Sequence, residues 1–198
     1  AGFVLVDGSV DRRSVAAAPV TDAVVLVVGA AWSRDLSAVI AEAARVVHLL
    51  TLPHASRDLE AWPTAPDFID ALGQARASDL PSALAAEDAL AARAAQAGAR
   101  VLRCPGAVPG ALLDALVQAH ATPLRLVAES GTRVFAGQAE ITRFERAGGR
   151  LEVRHPIHLA GLAMNPFSPE GYRLPADEMR QRLQDLALDR PVFDALTD

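Results

Sequence analysis

The sequence predicts an α/β fold with a largely parallel sheet flanked by helices, and three observations predict it. Short runs that are apolar at every position, Phe3-Val4-Leu5-Val6 and Ala23-Val24-Val25-Leu26-Val27-Val28 among them, read as strands buried on both faces. Stretches with apolar residues at helical spacing alternate with such runs. The runs end on turn chemistry, Asp7-Gly8 after the first and Gly29-Ala30 after the second. A chain of 198 residues suits a single α/β domain over 1–198, long enough to bury a core without disulfides or metals.

Composition excludes several classes. The net charge of −5 argues against a general binder of nucleic acid or anionic membranes, which would carry a basic surface. The chain has no lysine, so phosphate recognition would fall to arginine. One cysteine, Cys104, excludes an internal disulfide and fits a reducing cytoplasm. No apolar run reaches membrane-spanning length, and no signal peptide is visible. The sequence opens at Ala1 almost directly on an apolar strand, and we read it as the distal part of a longer chain.

After the strand Phe3–Val6, the small residues Ser14 to Pro19 connect to the strand Val24–Val28. Gly29-Ala30-Ala31-Trp32 turns the chain, and Ser33 is placed to cap a helix from Arg34 to Arg45 with Leu36, Val39, Ile40 and Ala43 on one stripe. The run Val46-Val47-His48-Leu49-Leu50 predicts a third strand, which would complete a βαβ unit. His54 to Pro66 holds two prolines and reads as irregular, with a short helix around Asp58–Trp62; Asp67–Leu72 is either strand or helical turn. Asp79-Leu80-Pro81 opens an alanine-rich helix to Ala97, stopped by Gly98. Strands follow at Arg100–Arg103, Leu124–Ala128, Leu151–Val153 and Ile157–Ala163. Helices follow at Ala111–His120, Gln138–Ala147 and from Pro175 to Leu186, and Pro191–Asp194 closes the chain as a strand. No internal repeat is visible.

Three stretches carry possible chemistry. Asp7 ends an apolar strand, the position from which parallel sheets present functional groups, and Asp11, Arg12 and Arg13 follow. An acid there can bind Mg²⁺ and arginines can bind phosphate; the competing reading is an Asp-Gly turn with a solvated charged face. The loop Gly29 to Asp35 feeds a helix N-terminus, which can cradle an anion or be an ordinary βα connection. Asn165, in Ala163-Met164-Asn165-Pro166-Phe167-Ser168-Pro169, can meet a purine edge through both donor and acceptor, or can cap a proline-fixed turn. Cys104 before Pro-Gly is either a thiol activated near a helix N-terminus or a small buried hydrophobe. His155 and His158, three apart on an extended segment, point to opposite faces and do not form a metal pair. The phosphate-loop pattern GxxxxGK[ST] is absent, as are GxSxG and HExxH.

The runs Val4-Leu5-Val6-Asp7-Gly8-Ser9-Val10-Asp11-Arg12-Arg13, Thr21-Asp22-Ala23, Gly29-Ala30, Ser33-Arg34-Asp35 and Asn165-Pro166-Phe167-Ser168-Pro169-Glu170-Gly171-Tyr172 resemble the reactivase subunit found with lysine 5,6-aminomutase. The likeness extends to Pro191–Asp194, with a poorly matched middle from His54 to Gly98. Members of that family look like P-loop ATPases with a GKT loop upstream of the Asp-Gly strand. The resemblance therefore implies a P-loop NTPase-like fold lacking its N-terminal phosphate-loop segment. It implies a nucleotide-dependent accessory protein that reactivates an adenosylcobalamin-dependent aminomutase, located in the cytoplasm. Asp7 would be the catalytic, metal-side acid, Arg12 and Arg13 phosphate or partner contacts, Gly29 and Ser33 the bordering loop, and Asn165 a base contact. ATP and Mg²⁺ would be held only together with the missing segment, and the partner would be the aminomutase or a second reactivase subunit. The alternative is a non-catalytic α/β module that binds a ligand or another protein.

Overall fold

The computed structural model describes residues 21–55 and 61–196. The predicted strand Phe3–Val6 and the candidate residues Asp7, Arg12 and Arg13 lie outside the described residues, as does most of the segment Asp58–Trp62. In chain order the elements are β1 (Val24–Gly29), α1 (Leu36–Leu50), β2 (Asp67–Ile69), β3 (Ala75–Ala77), α2 (Glu87–Gln96), β4 (Val101–Cys104), β5 (Val108–Pro109), α3 (Gly110–Gln118), β6 (Arg125–Ala128), β7 (Val134–Phe135), α4 (Gln138–Arg146), β8 (Arg150–Val153), β9 (Leu159–Asn165), α5 (Ala176–Ala187) and β10 (Val192–Asp194). The fold is α/β, with five α-helices among the described residues and both parallel and antiparallel pairing. None of the described helices is long and apolar enough to cross a membrane.

Where the sequence reads as one largely parallel sheet, the described strands fall into three sheets, one of them mixed, and contacts gather the described residues into two compact units. One joins Thr21–Thr51 to the C-terminal stretch that starts at Ile157; the other is built from Leu52–Pro156 between them. We call them the discontinuous and the continuous unit.

The discontinuous unit holds a three-stranded parallel sheet in the order β1-β9-β10. Helices α1 and α5 pack on it through Leu36, Val39, Ile40, Ala43, Val47 and Leu50 from α1 and Met179, Leu183 and Ala187 from α5, meeting Val28, Leu162 and Met164 of the sheet. This corrects the predicted strand Val46–Leu50, which is the second half of α1. The apolar stripe Leu36, Val39, Ile40, Ala43 simply continues to Val47 and Leu50 at helical spacing, and burying that stripe outweighs the β preference of Val46-Val47. The helix stops at Thr51, whose backbone N–H and hydroxyl both donate to the Val47 carbonyl, two residues before Pro53. Its N-cap is Asp35 rather than Ser33: the Asp35 carboxylate accepts from Ser37 N at 2.9 Å, while Ser33 Oγ accepts from Asp35 N.

The continuous unit carries a five-stranded mixed sheet, β3-β2-β4-β6-β8, in which β3, β2 and β4 pair antiparallel and β4, β6 and β8 parallel. Contrary to the sequence reading, it contains a structural repeat. Each of α2, α3 and α4 ends on a residue with positive φ: Gly98 at 57°, His120 at 54° and Gly148 at 92°. In each case that residue's N–H bonds three residues back, to Ala95, Val117 and Glu145, and the next N–H bonds five back, to Ala94, Leu116 and Phe144. This doubly bonded left-handed ending turns the chain into the next parallel strand. The strands then stack in register, Leu102 beside Leu126 beside Leu151, and the short β5 stacks on β7 in the same way. The repeat escapes the eye because its turn residue changes from Gly to His to Gly and its loops differ in length.

The long helix predicted over Asp79–Ala97 is shortened to Glu87–Gln96. Asp79 and Ala85 sit at φ 57° and 59°, outside the helical region, so the stretch before Glu87 is a string of turns around Pro81.

Candidate functional site

Parallel strands deliver their carboxyl ends to one rim, and in the discontinuous unit these ends are Gly29, Asn165 and Asp194. Gly29 and Asn165 are register partners on neighbouring strands, and the Ala30 N–H donates to the Asn165 carbonyl at 2.9 Å. Two loops leave from this junction, residues 30–35 and residues 166–175.

The second loop is held at several points. Asn165 Oδ1 accepts from Phe167 N at 3.0 Å, and Ser168 Oγ accepts from Glu170 N at 3.2 Å. Gly171 takes φ +86°, and Ser168 N reaches across to the Tyr172 carbonyl at 2.9 Å. The loop is then fastened to the first: the Tyr172 hydroxyl donates to the Ala30 carbonyl, Arg34 pairs with Glu170 at 3.1 Å, and the Arg34 guanidinium lies 4.9 Å from the Tyr172 ring centroid. Trp32 and Phe167 project from the two loops, 62% and 43% exposed, and Arg173 stacks on Phe167 at 4.6 Å.

Of the residues singled out in the sequence, the structure therefore brings Gly29, Ser33 and Asn165 to one rim. Asn165 behaves as a turn cap: its Oδ1 already accepts from Phe167 N, which leaves the carboxamide nitrogen as its uncommitted donor group in the turn. Sequence reasoning gave no role to Arg34, Glu170 and Tyr172, which join the loops, or to Asp194. Asp194 is legible by the rule applied to Asp7, an acid ending an apolar strand; it is 5% exposed, and its Oδ1 accepts from Leu196 N at 2.9 Å.

Cys104 belongs to the continuous unit and ends β4 fully buried. Burial, with the nearby Asp67 charge adding to it, pushes its thiol up to about 12, so it is an inert core residue. Asp67 itself is paired with Arg103, which donates Nε to Oδ1 at 2.7 Å and Nη1 to the Ala61 carbonyl at 2.7 Å. An open cleft of about 610 Å³ lies in the same unit between Pro63–Asp67 and Ala75–Pro81; none of the sequence-predicted residues lines it. Among the described residues no group of His, Cys, Asp or Glu is placed to hold a metal ion.

Comparison of the chain with protein-family models, with curated proteins and with solved structures finds no match.

Proposed function

We propose that the chain is the effector-binding part of a nucleotide-dependent accessory protein, of the reactivating kind that its resemblance implies for an adenosylcobalamin-dependent aminomutase. One observation carries the reading: Gly29 and Asn165 end adjacent parallel strands, and the two loops that follow are locked together by Tyr172 and Arg34. Ligands of open parallel sheets bind outside the carboxyl strand ends, on loops held in place before the ligand arrives. In this reading the Asn165 carboxamide nitrogen donates to a base, Gly29 and Ser33 border it, and Asp7 with Arg12 and Arg13 serves the metal and phosphates. A P-loop NTPase-like fold for the complete site follows from the same resemblance. The phosphate cradle and its lysine belong to a segment or subunit outside this sequence, since no GxxxxGK[ST] occurs here.

The test is titration of Trp32 fluorescence in a Trp62→Phe background, where Trp32 is the sole indole. Adenosine and Mg-ATP should both perturb it weakly, with similar affinity. Micromolar binding of Mg-ATP would place a phosphate cradle in this chain, at Gly29–Ser33 or Gly106–Gly110. No response to either ligand would remove the base site.

A second reading is a protein-interaction module that performs no chemistry. It is favoured by the exposed Trp32 and Phe167 beside Arg34 and Arg173, the residue types that dominate binding hot spots. Binding to purified lysine 5,6-aminomutase that is lost in Trp32→Ala, without any nucleotide response, would select it.

A further inference from the structure

The open cleft of the continuous unit runs along a sheet edge. Strand β3 ends the order β3-β2-β4-β6-β8, and its residues Ala75, Arg76 and Ala77 are all exposed. Its ladder with β2 fixes which backbone groups remain open. The Asp70 N–H donates to the Gln74 carbonyl at 3.1 Å, and the Ser78 N–H to the Pro66 carbonyl at 3.2 Å. Hydrogen-bonded pairs of an antiparallel ladder recur at every second residue, so Gln74, Arg76 and Ser78 turn their backbone groups to β2. The N–H and C=O groups of Ala75 and Ala77 therefore point away from β2, and among the described residues they have no partner. Both alanines line the cleft.

The surroundings keep this edge accessible. Past the Pro66–Ser78 pair the ladder stops, since Asp79 takes φ 57° and leaves the extended conformation. Pro63, Pro66 and Pro81 on the cleft walls have no N–H with which to compete for the edge carbonyls. Arg76 carries the charge that would guard an edge, but its guanidinium pairs with Asp70 at 3.1 Å. Of the other charged residues on the lining, Asp67 is paired with Arg103, whereas Asp79 is exposed and has no ion pair among the described residues. The cleft thus carries one uncompensated negative charge.

We propose that the cleft receives an extended peptide of another protein, which adds to β3 as a short strand and sets a basic side chain beside Asp79. Strand addition takes its affinity from main-chain bonds and its selectivity from alternate side chains of the peptide. Ala75 and Ala77 supply the open main-chain groups, and their small side chains leave room for larger ones on the peptide. Leu80 and the prolines supply apolar surface. The volume of about 610 Å³ falls within the range of ligand sites, about 300–1,000 Å³. A second copy of this chain fits less well. The only register that pairs both outward alanines, Ala75 with Ala77, sets Arg76 directly opposite its counterpart, and like charges so placed are destabilising.

Panning short random peptides displayed on phage against the full chain tests the proposal. Enriched sequences should carry Lys or Arg together with β-branched or aromatic residues. A synthetic copy of an enriched peptide should slow hydrogen exchange at the Ala75 and Ala77 amides by about tenfold or more, with Leu162 of β9 unchanged. Ala77→Pro removes an outward donor but no ladder bond, so the fold should stand while binding falls by about tenfold or more. Asp79→Asn should weaken binding by about two- to fivefold. Absence of any enriched sequence, binding that survives Ala77→Pro, or acidic peptides in place of basic ones would overturn the proposal. So would protection of Ala75 and Ala77 that rises with protein concentration in the absence of peptide, which would put a second copy on the edge. Should Ala77→Pro unfold the unit, nuclear Overhauser contacts between the peptide and the unsubstituted chain decide: contacts to Ala75–Ala77 support strand addition, and their absence overturns it.

Discussion

The two units solve the same problem, placing parallel strands side by side, by opposite routes. In the continuous unit the parallel strands β4, β6 and β8 are each joined to the next through one helix with one stereotyped ending, so Leu102, Leu126 and Leu151 come into register from neighbouring stretches of sequence. In the discontinuous unit β1 and β9 pair across the whole of Leu52–Pro156, and no local signal connects Gly29 with Asn165. Local closure carries a small entropic cost and long-range closure a larger one. The candidate site belongs to the expensive arrangement: its two loops meet only once that long-range pairing has formed. The continuous unit instead spends its buried polar groups on holding itself together, as Arg103 and Asp67 do.

The largest expected effect breaks that internal tie. Asp67→Ala should destabilise the continuous unit by about 3–5 kcal/mol, because Arg103 would remain buried without its anion. The double variant Asp67→Ala, Arg103→Met should recover much of the loss, measured by denaturant unfolding with Trp62 as the reporter. If the two single losses merely add, the pair is not the tie described here.

Next comes the helix ending. A β-carbon at Gly149 would stand 2.5 Å from ring carbons of Phe144, a residue with no exposed surface. Gly149→Ala should therefore cost about 1–3 kcal/mol by overpacking. A melting temperature equal to that of the parent would mean the ring has room to move.

In the discontinuous unit the clasp is weaker. Tyr172→Phe removes the hydroxyl that donates to the buried Ala30 carbonyl and should cost about 1 kcal/mol. The loss should appear as faster exchange of amides in residues 30–35 and 166–175, with those of β4, β6 and β8 unmoved. Uniform loss across both sets would erase the contrast between the units.

The smallest effect has the opposite sign. His120 holds φ 54° at the place where the two equivalent helix endings use glycine, and its side chain is exposed. His120→Gly should stabilise the unit by about 0.5–1 kcal/mol, the strain relieved exceeding the added freedom of the unfolded chain. A destabilised variant would show that the side chain has a role beyond the turn.

Particular residues show where reading from sequence succeeds. The apolar runs at Val24–Val28 and Leu159–Ala163, the Gly148 stop of α4 and the amphipathic stripe after Pro175 are each written within a few residues, since periodicity and turn chemistry act over that range. The α/β class follows from their alternation. Val46–Leu50 shows where it fails: a mostly apolar run is helical here because Val47 and Leu50 extend a stripe that Leu162 and Met179 cover, and that cover comes from more than a hundred residues away. The candidate site divides in the same manner. Gly29, Ser33 and Asn165 stand out locally as turn and cap residues. Their meeting, the Tyr172 bond to Ala30 and the Arg34 pair with Glu170 exist only through the pairing of β1 with β9. Sequence by itself determined the elements, because hydrogen bonding and side-chain spacing within an element are local. Tertiary structure alone decided strand order, the fate of the ambiguous run and the identity of the rim, because each depends on what a distant segment buries.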